Sequence, residues 1–281
     1  MHSSAVLVSL KISTWNTKRK DKQSTEKVKA DAGAMGNVGA YNKNLCPDFV
    51  ALENLNKFTA DCRNWVKRPT VPWGFDGVHM LSTRDLLTWF DKDMQTRHET
   101  FWNMVDVVLD EYANARQVAQ FKLGTLFDAS EYPTVDEVRG KFRFDYAYYP
   151  VPETGDFRVD IAREGMEFLQ KQFEKEKRKV IDEAMTSLWT RVKDITETLS
   201  NQLRVTKDEK GKLYQNTVDT ALSLCDMMRD LNLTGDPKMD RVRKELKMTL
   251  EGVNLQELKK DEGQRLAVKQ EIDDLLSKFN F

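Results

Sequence analysis

Along the chain, two periods of hydrophobic spacing alternate and then give way to one. Across Ala5–Trp15, Val6, Val8, Leu10 and Ile12 alternate with smaller or polar residues. This period of two, rich in β-branched side chains, predicts a half-buried strand. Residues 16–44 then hold almost no large apolar side chain, and Gly33, Gly36 and Gly39 fall among them, so a flexible arm is expected. Helical spacing begins near Asp48, a candidate N-cap after Pro47, and runs through Leu52, Leu55, Phe58 or Thr59, Cys62 and Trp65. Two prolines and two glycines in Pro69–Gly77 predict a turn, followed by a short strand at Val78–Leu81. Ser82 or Thr83 is placed to cap a long helix reaching about Phe121, with Leu86, Phe90, Met94, Phe101, Val105, Val108 and Tyr112 on one face. Thr134 to Glu137 spells a capping box for a short helix, Val135–Gly140. Phe142–Val151 alternates again and is aromatic, predicting a strand, with a third strand expected at Phe157–Ile161.

From Ala162 onward the period is helical. Ile181, Met185, Leu188, Val192, Ile195 and Leu199 step 4-3-4-3-4, and Tyr214, Val218, Ala221, Cys225 and Met228 continue that rhythm after a polar turn at Val205–Lys212. Two matched seams joined by a short connection predict an antiparallel helical hairpin over 162–231. Asp236-Pro237 starts a further helix with Met239, Val242, Leu246 and Leu250 as its stripe. Asn254 caps a short piece, and a last helix carries Leu266, Ile272, Leu275 and Phe279. The expected fold class is mainly α with a small β component (α+β). An α+β portion over 1–161, carrying a basic N-terminal arm at about 16–44, precedes a helical hairpin and bundle region over 162–281.

Composition narrows the functional classes. The 281 residues contain 27 aromatic side chains (14 Phe, 7 Tyr, 6 Trp), too many for a disordered chain. Lys plus Arg (44) nearly balances Asp plus Glu (45), so any pull on a polyanion must come from a local patch. Cys46, Cys62 and Cys225 are odd in number and lack CxxC pairing, which reads as free thiols in a reducing compartment. The apolar stretch Ala5–Leu10 is too short for a secretory signal, and no run approaches the roughly 18 apolar residues of a membrane span. The expectation is a cytoplasmic protein without a membrane role.

No catalytic signature emerges. The chain has three histidines, His2, His79 and His98, and His98-Glu99 is not continued to HExxH. Zinc-ligand spacing, a phosphate-binding GxxxxGK[ST] loop and a GxSxG elbow are all missing from the sequence, and Gly33, Gly36 and Gly39 have the wrong spacing for a dinucleotide fingerprint. Asp91/Asp93, Asp106/Asp110/Glu111 and Asp273/Asp274 read as solvated helix faces, and Asp156 and Asp160 as the polar face of a strand. No catalytic residue, metal ligand or cofactor is therefore assigned, and an enzyme ranks last.

Charge does gather at one place. Between Lys11 and Ala30 stand Lys11, Lys18, Arg19, Lys20, Lys22, Lys27 and Lys29 against Asp21 and Glu26, a local charge of +5. Such clusters bind phosphate backbones, and a neighbouring aromatic such as Trp15 could stack on an unpaired base. The candidate nucleic-acid-binding set is accordingly Trp15, Lys18, Arg19, Lys20, Lys22, Lys27 and Lys29. A plain solvated loop, or docking on an acidic protein surface, fits the same residues. The aromatic strand Phe142, Phe144, Tyr146, Tyr148 and Tyr149 suits a stacking platform, but one face of a packed sheet explains it better. The hairpin, with its basic run Lys171–Lys179, suits a protein partner or self-association.

At VSLKISTW-NTKRKDK, DAGAMGNVGAYNK, EYPTVDEVRGKFRFDYAYYPVPETGDFRVDI and LNLTGDP, the chain resembles an uncharacterised family of hypothetical proteins from tailed bacteriophages. The resemblance implies a viral protein made in the bacterial host cytoplasm, encoded near replication and recombination genes and in some cases near AAA-type ATPases. It carries over no catalytic residue. The expected function is a non-enzymatic accessory of phage DNA metabolism, an oligomer binding or annealing single-stranded DNA. The alternative is an adaptor that docks a phage or host partner, such as a AAA-type ATPase, through the helical hairpin.

Overall fold

The computed structural model describes residues 5–74, 77–152, 163–205 and 211–278. Helices dominate and strands are few, so the α+β class is correct. The chain forms two compact units, both discontinuous in sequence: Met1–Ser9, Val66–Phe90 and Ala147–Phe281 in one, Leu10–Trp65 and Asp91–Tyr146 in the other. The boundary expected at 161/162 lies outside the described residues, as do the strand expected at 157–161 and Asp156 and Asp160.

The larger unit is built on long helices. α6 (Arg163–Leu203) and α7 (Gln215–Leu231) are followed by α8 (Pro237–Leu250), α9 (Leu255–Lys260) and α10 (Glu262–Ser277). At 41 residues α6 is about 60 Å long. Gln202 near its end accepts a hydrogen bond from the Tyr214 amide, while Arg191 earlier in α6 reaches the Met227 sulfur, so α6 and α7 run antiparallel. The seam residues Met185, Leu188, Val192, Leu199, Val218, Ala221, Cys225 and Met228 are buried together, joined by Met239, Val242, Leu246 and Leu250 of α8. Asp236 caps α8 ahead of Pro237, and Asn254 caps α9. Two seam positions differ from expectation. Tyr214 is exposed because it precedes the first turn of α7. On α10, Leu266 is exposed and Arg265 is buried in its place. The Arg265 guanidinium donates to the carbonyls of Leu203 (3.0 Å), Gln202 (2.6 Å) and Gly211, capping the open end of α6.

The strand expected at Val78–Leu81 forms as β5 (Val78–Ser82); it pairs antiparallel with β4 (Thr70–Pro72), a strand inside the segment expected to be a turn, and with the start of β1 (Ala5–Ser13). With β6 (Arg143–Pro150) the sheet order is β4-β5-β1-β6. Ala5, Leu7, Val71, Trp73 and Met80 join the helical core, with α6 packed on β4 and α7 on β5. Ser82 caps a single helical turn, α3 (Thr83–Asp85), but the expected long helix is interrupted at once by a π-helical turn, Leu86–Phe90.

In the other unit, α4 (Asp91–Leu123) buries Phe101, Val105, Val108, Tyr112, Ala115 and Ala119. α2 (Val50–Lys67) buries Leu52, Leu55, Thr59, Cys62 and Trp65. Asp48 is not its N-cap. It adopts φ 58°, and the Phe49 carbonyl accepts the first helical bond, from Glu53. The Thr134 capping box forms as expected and opens α5 (Val135–Arg139). Residues 16–44 are not a structureless arm: they form β2 (Lys18–Lys20), α1 (Lys22–Asp31) and β3 (Asn42–Asn44).

Candidate nucleic-acid interface

The basic segment is an excursion whose two ends are zipped together. β2 and β3 pair antiparallel, with Lys18 opposite Asn44, Arg19 opposite Lys43 and Lys20 opposite Asn42. Below this ladder the Leu45 amide donates to the Thr17 carbonyl and the Thr17 hydroxyl to Asn44 (2.6 Å). Above it α1 begins. Asp21 caps it by accepting from the Ser24 amide (2.7 Å), and this bond, with help from the Ser24 hydroxyl and Lys43, holds the Asp21 carboxyl below its ordinary range.

Lys43 is the anchor. Its ammonium is buried and lies 2.6 Å from Glu131 and 3.4 Å from Asp21, and it donates to the Leu126 carbonyl at 2.7 Å. Burial disfavours its charge, but Glu131 and Asp21 outweigh burial and hold its pKa above the ordinary value. This buried cation ties β3 to α1 and to the turn at Ala129–Glu131.

With its base held in this way, the excursion presents Lys18, Arg19, Lys20, Lys22 and Lys27 to solvent. Alternation sends Lys18 and Lys20 to one face of β2 and Arg19 to the other. Lys29 is half-buried and paired with Glu26 at 3.2 Å, so it is partly neutralised. Trp15 departs from the expected set. It is only 6% exposed and meets Tyr112 edge-on at 5.5 Å. Its indole is core, and in this fold it has no free face for a base.

Sequence reasoning passed over Tyr41, whose ring is exposed. Both of its backbone groups are held: its carbonyl accepts from the Asp21 amide (2.9 Å) and its amide donates to the Thr25 hydroxyl (3.0 Å). Thr25 is buried and donates in turn to the Asp21 carbonyl at 2.5 Å. The only sequence signal was an aromatic between Gly39-Ala40 and Asn42, with nothing local to say that it pairs with a residue twenty positions earlier.

Elsewhere the chemistry is quiet. Burial pushes the Cys46 thiol up to about 12 and Cys225 to about 11, and raises Cys62 as well, so all three stay protonated near neutrality. Among the described residues no three His, Cys, Asp or Glu side chains converge to hold a metal ion, and no helix is long and apolar enough to cross a membrane. The aromatic strand turns Phe144 into the core, where Phe101 and His98 pack on it at 5.3 and 5.5 Å. A shallow, open depression of about 680 Å³ lies along α6, lined by residues of both charges such as Lys175, Arg178, Asp182 and Glu183. No family model matches the chain, and no curated protein or solved structure shows significant similarity to it.

Proposed function

We propose that the protein binds the phosphate backbone of nucleic acid through the 18–44 excursion, as a non-enzymatic accessory of DNA metabolism in a phage-infected bacterial cytoplasm. One observation carries this reading: five cations, Lys18, Arg19, Lys20, Lys22 and Lys27, are exposed within ten residues on an element held at its base by Lys43. A chain with a net charge of -1 has no general attraction for polyanions, so this local field is what would capture one.

Five phosphates neutralised on a single strand correspond to a slope of about −3.5 in log affinity against log salt. Affinity then falls roughly a hundredfold between 50 and 200 mM salt. Filter binding of labelled single- and double-stranded DNA over that range tests it. Replacing Lys18, Arg19, Lys20 and Lys22 by Ala should flatten the slope to about −1 or less. No binding at low salt, or an unchanged slope in that variant, refutes the proposal.

A second reading, an adaptor role for the 162–231 hairpin, draws on the exposure of Lys171, Lys175, Arg178 and Lys179 along the early turns of α6. That run would suit an acidic partner surface.

A further inference from the structure

We infer that Tyr41 is the base-stacking residue of this interface, and that the site prefers unpaired over paired nucleic acid. The inference rests on the nucleic-acid reading above and adds to it the substrate class.

Phosphate contacts alone do not favour single strands, because a duplex carries the denser backbone charge. Preference for single strands comes from an aromatic face that a splayed base can cover. Trp15 is excluded by burial, and the exposed ring on the excursion is Tyr41, 42% exposed. Its position suits the task. Tyr41 sits one residue beyond the β2–β3 ladder, its backbone opposite Asp21, so the flanking cations across the ladder are Lys20 and Lys22. A strand whose phosphates meet these lysines is brought to the end of the ladder that carries Tyr41.

Preorganisation is the second part of the argument. An exposed aromatic on a loose glycine loop would lose much of its binding energy to ordering. Gly33, Gly36 and Gly39 do make the preceding loop glycine-rich, but Tyr41 lies past it. There both the amide and the carbonyl are bonded to the start of α1, through buried Thr25 and through Asp21. The ring therefore stands on fixed backbone and retains only its own side-chain rotation. Because these bonds are main-chain on the Tyr41 side, replacing the side chain leaves them in place.

The test is a titration of the full chain with a fluorescein-labelled oligothymidylate and a labelled duplex of equal length, in low salt. Tyr41→Ala should weaken oligothymidylate binding by about 5- to 150-fold, the range for losing one stacked base. Its salt slope should stay that of wild type, and duplex binding should change by less than about twofold. Tyr41→Phe should keep wild-type affinity, and Tyr41→Leu, apolar without a ring face, should behave as Tyr41→Ala. Equal binding by Tyr41→Ala and wild type overturns this inference and leaves the backbone reading intact if the four-cation variant still loses binding. Equal loss on single strand and duplex overturns the strand preference. Absence of binding by wild type to either probe overturns both proposals. So does binding only to phosphatidylserine vesicles, the result expected if the lysines and the exposed Met35 and Val38 served a lipid surface instead.

Discussion

Replacing Lys43 by Met keeps an unbranched apolar stem, one atom shorter, and removes one charge from the base of the excursion. What remains is Glu131 and Asp21, with side chains 21% and 15% exposed, and a Leu126 carbonyl that loses its donor. Removing one partner of a buried pair costs about 3–5 kcal/mol, because the other charge stays desolvated. Both carboxylates here can regain some water, so the expected loss lies at the low end, about 3 kcal/mol. Urea denaturation followed by circular dichroism measures it. A companion variant separates the pair from simple misfolding: adding Glu131→Gln to Lys43→Met removes the stranded charge nearest Lys43 and should recover about half of the loss. Hydrogen exchange at the Asp21, Tyr41 and Leu45 amides should accelerate in Lys43→Met, since those bonds close the base of the excursion. The pH dependence follows from the directions of the shifts. The folded-state pKa of Lys43 is raised, so its contribution is complete below the ordinary value of 10.5 and fades as pH rises through the higher folded value. That of Asp21 is lowered, so its contribution is complete above 3.8 and fades as pH falls through the lower folded value. Wild type should therefore lose this clip only at the two extremes. Lys43→Met within about 1 kcal/mol of wild type, or no recovery in the double variant, would refute the reasoning.

Four further variants test positions where the fold overrides the local pattern. Arg265→Met strands the carbonyls of Leu203, Gln202 and Gly211 and should cost about 2–4 kcal/mol in the same urea assay, while Leu266→Ala beside it should cost less than about 1 kcal/mol. Trp15→Ala should cost about 3–5 kcal/mol of stability, the range for an emptied aromatic site, and Trp15→Phe should keep wild-type affinity for DNA; loss of binding in a stable Trp15→Phe would return Trp15 to the interface.

The helical half was the more legible part, for a local reason. The seam of α6 and α7 repeats over many turns, so each buried residue is implied by its neighbours three and four positions away. Caps are equally local: Thr134 with Glu137, Asp236 before Pro237, and Asn254 each satisfy donors within a few residues. Such signals do not reach far along the chain. Lys43 and Glu131 are 88 positions apart, and nothing near Lys43 marks it as different from the solvated lysines before it. Arg265 is spaced like any polar residue beside Leu266, and it is buried only because an open helix end from 62 residues earlier lies against it. The segment 16–44 lacks the apolar residues that announce a strand or a helix. Its structure comes instead from hydrogen bonds between its two ends, a short three-residue ladder and a cap.

What the sequence determined by itself is the α+β class, the heptad helices and the place where positive charge gathers. These follow from the period and composition of contiguous residues, which the unfolded chain already carries. Tertiary structure decided that the units are discontinuous, that Trp15 is core and that Tyr41 is exposed on backbone bonded to Asp21 and Thr25. The physical reason is that burial belongs to surroundings. An aromatic ring is core or platform according to what folds over it, and for Trp15 that is Tyr112, 97 residues away.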